Sequence, residues 1–226
     1  MKLKFHYALM DAIDSDTYES FYDSLGGDEK LELLRYAQLF SAEKIAPLDN
    51  WKISSKYKIY TDILDMSLTQ FIYLEHEFNS GMTERLISLI IRPLGENSFD
   101  DTTPNEQSHI DSILEEDAHE VISIYKHLRN NRELTLFTKF NGVIYTKHEP
   151  EEGEEQEPKT TDPFTERWFW YSIVRRLANN DITKFDSIYE LKMSAVLIDL
   201  AYQTQLAEIE ENERRAQDAI NSARYR

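Results

Sequence analysis

The sequence predicts a mainly α protein: a helical, bundle-like core carrying one small β-hairpin and ending in a long C-terminal helix. Three observations lead there. Apolar residues recur at i, i+3 and i+4 through most of the chain, the spacing of amphipathic helices. Asn141-Gly142 stands between two runs rich in β-branched and aromatic residues, the pattern of a tight hairpin. From about Lys192 onward the chain reads as one continuous helix. The whole of 1–226 is read as a single helical domain, with residues 1–60 as an N-terminal subregion.

In chain order, Leu3, Phe5 and Tyr7 alternate with Lys2, Lys4 and His6, which predicts a short half-buried strand. Asp14 or Ser15 can cap a helix through Tyr18, Phe21, Tyr22 and Leu25, ended by Gly26-Gly27. Asp28 opens the next helix, limited by Pro47. Trp51 to Ile59 gives no clear period. Ser67-Leu-Thr-Gln70 fits a capping box before a helix carrying Phe71, Leu74 and Phe78 and ending at Asn79-Ser80-Gly81. A helix from about Thr83 buries Leu86, Ile87, Ile90 and Ile91 and stops before Pro93. Pro104 introduces a longer helix over about 105–130, with Ile110, Ile113, Leu114, Val121, Ile124 and Leu128 as its stripe.

The hairpin is expected over 134–147 and an acidic loop over 148–163. Beyond Pro163 the chain turns aromatic, with Phe164, Trp168, Phe169, Trp170 and Tyr171 close together, and Asp181 caps a following turn. The closing helix, 192–226, carries Val196, Leu197, Leu200, Ala201 and Leu206 in its first half. Its second half has only Ile209, Ile220 and Tyr225 as large apolar residues. That half is either a solvated, partly frayed helix or an arm that docks on another subunit. No internal repeat is evident at a solenoid period.

Composition narrows the function classes. Acidic residues number 42 against 25 basic ones, for a formal charge of −17. Such a charge disfavours direct binding of nucleic acid, which depends on Lys and Arg at phosphates. No apolar run reaches the length of a membrane span, no signal-peptide core follows Met1, and there is no cysteine. The charge is uneven. Glu149, Glu151, Glu152, Glu154, Glu155 and Glu157 crowd one short run, and removing its six charges from −17 leaves −11. On composition alone, the expectation is a soluble, acidic, intracellular protein.

No chemical motif survives inspection. Glu116-x-x-His119 is half of a carboxylate-bridged di-iron pattern, and the second half is missing. His119 and His127 are too far apart for a zincin pair. Neither a Gly-x-Ser-x-Gly elbow nor a phosphate-binding glycine loop occurs. The expectation is a non-enzyme with no catalytic residue, no metal and no cofactor. Partner-binding candidates are Trp168, Trp170, Tyr171, Arg175, Arg176, Ile209 and Tyr225, because Trp, Tyr and Arg dominate protein interfaces. Consecutive aromatics on a helix point several ways, so core packing is the competing reading of Trp168 to Tyr171.

Asp65-Met-Ser-Leu-Thr-Gln-Phe-Ile-Tyr-Leu-Glu75, followed by Leu86-Ile-Ser-Leu-Ile-Ile-Arg-Pro93, resembles the middle of tailed-bacteriophage tail-assembly-chaperone-like proteins. Arg167-Trp-Phe-Trp-Tyr171 and Leu177-Ala-Asn-Asn-Asp-Ile-Thr-Lys-Phe185, leading into the closing helix, are similar to such proteins as well. The matching stretches, 65–93 and 167–207, cover about 70 of 226 residues and are apolar helical patterns with capping residues. The resemblance implies an α-helical, non-enzymatic virion-morphogenesis protein that contacts other phage structural or assembly proteins; separately, a C-terminal arm docked on another subunit would make a homo-oligomer. A component retained in the particle, as a ring, neck or cargo protein, is the alternative. An acidic nucleic-acid mimic that inhibits a DNA-binding enzyme is a further one, motivated by the glutamate run.

Overall fold

The computed structural model describes residues 2–41, 51–78, 80–96, 98–103, 106–145 and 163–224. Among them are ten α-helices and one two-stranded antiparallel sheet. The protein is therefore mainly α, with a small sheet and a long closing helix. Contacts group the chain into two compact units, Met1–Asp62 with Thr69–Asn131, and Ile63–Leu68 with Arg132–Arg226.

The first unit holds α1 (Leu3–Asp14), α2 (Tyr18–Ser24), α3 (Gly27–Ser41), β1 (Tyr57–Ile59), most of α4 (Leu68–Phe78), α5 (Glu84–Ile90), β2 (Ile91–Pro93), α6 (Gln107–Leu114) and most of α7 (Ala118–Leu134). Its centre is α5, where Leu86, Ile87, Ser88, Leu89 and Ile90 are all buried. A short helix that is apolar all round must sit inside a core. Thr83 caps it by accepting from the Leu86 amide at 3.0 Å. Gln70 on α4 spans to it, donating from Nε2 to the Leu89 carbonyl at 2.8 Å. The chain then extends as β2, paired with β1 in the register Tyr57↔Pro93, Lys58↔Arg92 and Ile59↔Ile91.

Three expectations are corrected. The N-terminal strand is helix α1, with Lys2 alone forming a bridge to Asp117. Leu3, His6, Leu9 and Ala12 are its buried residues, a spacing of three that favours one helical face over the alternation of Leu3, Phe5 and Tyr7. The helix expected over 105–130 is two helices, broken between Leu114 and Ala118. The break lets Asp117 pair with Lys2 and cap α7, its Oδ1 accepting from the His119 amide at 2.8 Å.

The hairpin at 134–147 is absent from the described residues: α7 runs on through a π-helical turn, Thr135–Lys139. Thr135 and Leu136 are buried there, so packing overrides the β propensity of the run. Gly142 does take a positive φ of 81°, and its amide donates to the Tyr145 carbonyl at 2.9 Å. The chain thus returns beside the helix, where Tyr145 lies 6.0 Å from Phe137 and 6.1 Å from Phe169, ring to ring. The small sheet forms instead between β1 and β2, far apart in sequence.

The second unit contains Ile63–Leu68, α8 (Pro163–Leu177), α9 (Phe185–Tyr189) and α10 (Met193–Arg224). Its buried apolar residues include Met66, Leu68, Leu136, Val174, Met193, Val196, Leu197 and Leu200.

Both units use one device to start their helices. The first amides of a helix lack intrahelical partners. In the first unit Lys2 bridges Asp117, and the Leu3 amide donates to the Glu116 carbonyl at 3.0 Å. In the second, Ser67 bridges Lys192. There the Leu68 amide donates to Leu191 at 2.7 Å and the Met193 amide to Met66 at 2.8 Å. Two helix starts thereby satisfy one another. The sequences around them match once the structure supplies the register. Asp111-Ser-Ile-Leu-Glu115 ends α6, and Asp186-Ser-Ile-Tyr-Glu190 ends α9. Asp117 and Lys192 are the bridging residues, and Val121 and Val196 are buried residues one turn into α7 and α10. Ile63-Leu-Asp65 before α4 is a shorter third copy.

Candidate functional site

A groove runs along α8. Pro163 opens this helix, where a missing amide hydrogen costs nothing. Ile173, Val174 and Ala178 form its buried side. Phe164, Trp168, Tyr171 and Arg175 follow one another at i, i+4, i+7 and i+11, which places them on a second common face. That face is exposed: Phe164 is 68% accessible, and Trp168 and Tyr171 are 39% each. Together with Ser172 and Asn180 these four residues line an open groove of about 540 Å³.

The aromatic wall is held by ring contacts. Trp168 and Tyr171 meet edge to face with centroids 5.5 Å apart, and Tyr171 makes the same contact with Phe185 at 5.7 Å. Such pairs contribute about 0.5–1.5 kcal/mol beyond their burial. Phe164 lies 6.4 Å from Trp168, and the Arg167 guanidinium stands 5.6 Å over the Trp168 ring.

The far end of the groove is fixed by backbone geometry. Asn179 and Asn180 both adopt left-handed conformations, with φ of 53° and 64°, and Asn is among the few side chains that tolerate this. The Asn180 amide donates to the Arg175 carbonyl at 2.9 Å, and Arg175 Nε donates to Asn180 Oδ1 at 2.8 Å. These bonds orient the guanidinium at the groove's end. Just beyond, Asp181 accepts from the Thr183 hydroxyl at 2.6 Å and the Thr183 amide at 3.1 Å, which holds its carboxyl below the ordinary aspartate value.

α8 carries Arg167, Arg175 and Arg176 against one acid, Glu166, in a molecule of charge −17. Among the described residues no carboxylate pairs with Arg175 or Arg176. The groove is thus an apolar surface with cations at its edge. Nothing in its lining offers a nucleophile beside a base, and what it can do chemically is bind.

Of the residues singled out from sequence, Trp168, Tyr171 and Arg175 come together in the groove. Arg176 is exposed on the adjoining face, and Trp170 is half-buried with its ring edge-on to Phe169 at 5.1 Å. Within the aromatic cluster Trp168 and Tyr171 are exposed, and Phe169 and Trp170 are half-buried. Ile209 lies on α10, 56% exposed. Tyr225 and the six glutamates Glu149, Glu151, Glu152, Glu154, Glu155 and Glu157 lie outside the described residues. Phe164, Ser172 and Asn180 join the site although composition did not mark them. The spacing of residues 164, 168, 171 and 175 is the signal that identifies Phe164. Glu116, half of the discarded metal pattern, is an ion-pair partner of Lys56, whose Nζ lies 2.8 Å from its Oε1.

Among the described residues no helix is long and apolar enough to cross a membrane. No family model matches the chain, and no curated protein or solved structure matches it either.

Proposed function

We propose that this protein works by protein–protein contact and not by catalysis, as a bacteriophage virion-morphogenesis factor engaged in tail or neck assembly. The observation that carries the reading is the exposed aromatic–arginine groove of α8. Trp, Tyr and Arg are the residues that supply most interface binding energy, and here they share one face. The resemblance of residues 65–93 and 167–207 to tail-assembly-chaperone-like proteins supplies the phage context. Its partners are then other phage structural or assembly proteins, met in the host cytoplasm or in the particle.

A second reading, a component retained in the particle as a ring, neck or cargo protein, is favoured by the exposed second half of α10. From Gln205 to Asn221 every residue but Glu211 is exposed, and a helix lying in water gains nothing from its apolar positions. Mass spectrometry of purified virions and of infected lysate tests both. Abundance in lysate with absence from virions identifies an assembly factor, and a defined copy number in virions identifies a retained component. Failure of the chain to co-purify with any tail, neck or capsid protein would remove the reading.

A further inference from the structure

We infer that the α8 groove binds the C-terminal arm of a second copy of this chain, so that copies associate head to tail. The inference rests on the protein-contact reading above and names its partner. The arm presents what the groove lacks. Leu206, Ile209, Glu210 and Glu213 fall at i, i+3, i+4 and i+7, one face of α10. Leu206 is 40% and Ile209 56% exposed. Their aliphatic side chains suit the wall of Phe164, Trp168 and Tyr171, in the manner of an amphipathic helix laid into an apolar groove.

The charges are complementary at the same places. Arg214 and Arg215 both pair with Glu211, which leaves Glu210 and Glu213 without an ion-pair partner among the described residues. Arg175 lines the groove and Arg176 stands on the adjoining face, neither with a carboxylate partner among the described residues. At a charge of −17, two copies repel each other overall. A contact that sets an acidic helix against a cationic patch offsets that repulsion locally.

The occupant comes from another copy because α10 is continuous from Met193 to Arg224, with no Gly or Pro at which to fold back. Its buried residues end at Leu200, and Ile209 lies about 13 Å farther along the axis at 1.5 Å per residue. Groove and arm are different surfaces, so each copy can bind one neighbour with its arm and another with its groove. Such an interface closes into a ring or extends as a filament.

The experiment is sedimentation of the full chain across a wide concentration range at low salt, alone and as variants. The groove variant is Trp168→Ala with Arg175→Glu, and the arm variant is Ile209→Asp. All three positions are exposed, and circular dichroism checks that each variant keeps its helix content. Wild type is expected to pass beyond dimers as concentration rises, and each variant alone to self-associate at least about tenfold more weakly. An equal mixture of the two variants keeps one intact arm and one intact groove per pair, so it forms dimers and stops there. A wild type that stays monomeric overturns the inference. So does a groove variant that associates like wild type, which is the outcome for arm-to-arm pairing, and so does a mixture that gives no dimer. The broader reading fails separately. A monomeric wild type whose groove variant loses its phage partners leaves that reading standing, whereas a polymer that binds no phage protein removes it alone.

Discussion

The Arg92 guanidinium is wholly buried, and Glu96 closes over it, accepting from Nε at 2.8 Å and also from Nη2. Nη2 donates as well to the Asp100 carbonyl at 2.8 Å, Nη1 to the Ser88 carbonyl at 3.3 Å, and the Phe99 ring lies 4.9 Å from the guanidinium carbon. Glu96 Oε1 accepts from the Asp100 amide at 2.8 Å. One cation thus ties the end of α5 to the loop after β2.

Removing one partner of a buried pair strands the other charge, at a cost of about 3–5 kcal/mol. Glu96→Gln is expected to fall at the lower end, about 3 kcal/mol, in urea unfolding of the full chain. Arg92→Met combined with Glu96→Leu removes both charges and should restore more than half of that loss. A double variant no more stable than Glu96→Gln would show that the bonds, and not the stranded charge, set the cost.

Acid should destabilise the protein in two stages. Burial lowers both His6 and His109 below the ordinary 6.5, so folding disfavours their protonation, although the bond between His109 Nε2 and the Ile91 carbonyl partly opposes its shift. The unfolded chain then binds more protons below pH 6.5, and stability falls as pH drops through that value. Burial pushes Glu96 up, but the Arg92 and Asp100 bonds outweigh it and hold it below 4.5. Its contribution is complete above pH 4.5 and is lost as pH falls through its folded value. Urea midpoints against pH should show both limbs, and His109→Gln should flatten the upper one selectively.

Thr135 is fully buried, and its hydroxyl has no hydrogen-bond partner among the described residues. Valine keeps the shape and removes the desolvated group, so Thr135→Val should stabilise by about 1 kcal/mol. Thermal unfolding that shows a lower midpoint would mean that the π-helical turn needs the hydroxyl.

The edge of the core should be measurable along α10. Leu200 is fully buried, and Leu200→Ala should cost about 2–5 kcal/mol. Nine residues on, Ile209→Ala should change stability by less than about 0.5 kcal/mol. Denaturant unfolding at dilute concentration, where association is negligible, separates the two.

The sequence by itself determined the helical class, a helix stop near Gly26-Gly27, the helix starts at Thr83 and Asp181, and the length of α10. Each of these depends on local chemistry, such as a cap, a glycine pair or an apolar period, that acts within a few residues. Composition also drew attention to Trp168, Tyr171 and Arg175. Tertiary structure decided what depended on distant partners. Lys2 pairs with Asp117, so the N-terminus is helical and the helix expected over 105–130 is split. Ile91 pairs with Ile59, so the sheet is built from Tyr57–Ile59 and Ile91–Pro93 and not from the runs flanking Asn141-Gly142. The repeat of Asp111–Glu115 at Asp186–Glu190 became visible once Asp117 and Lys192 were seen in the same role. Only the fold could show which aromatics of α8 are half-buried and which line a groove, because a helix is apolar toward whatever it packs against. No local pattern says which of two faces that will be.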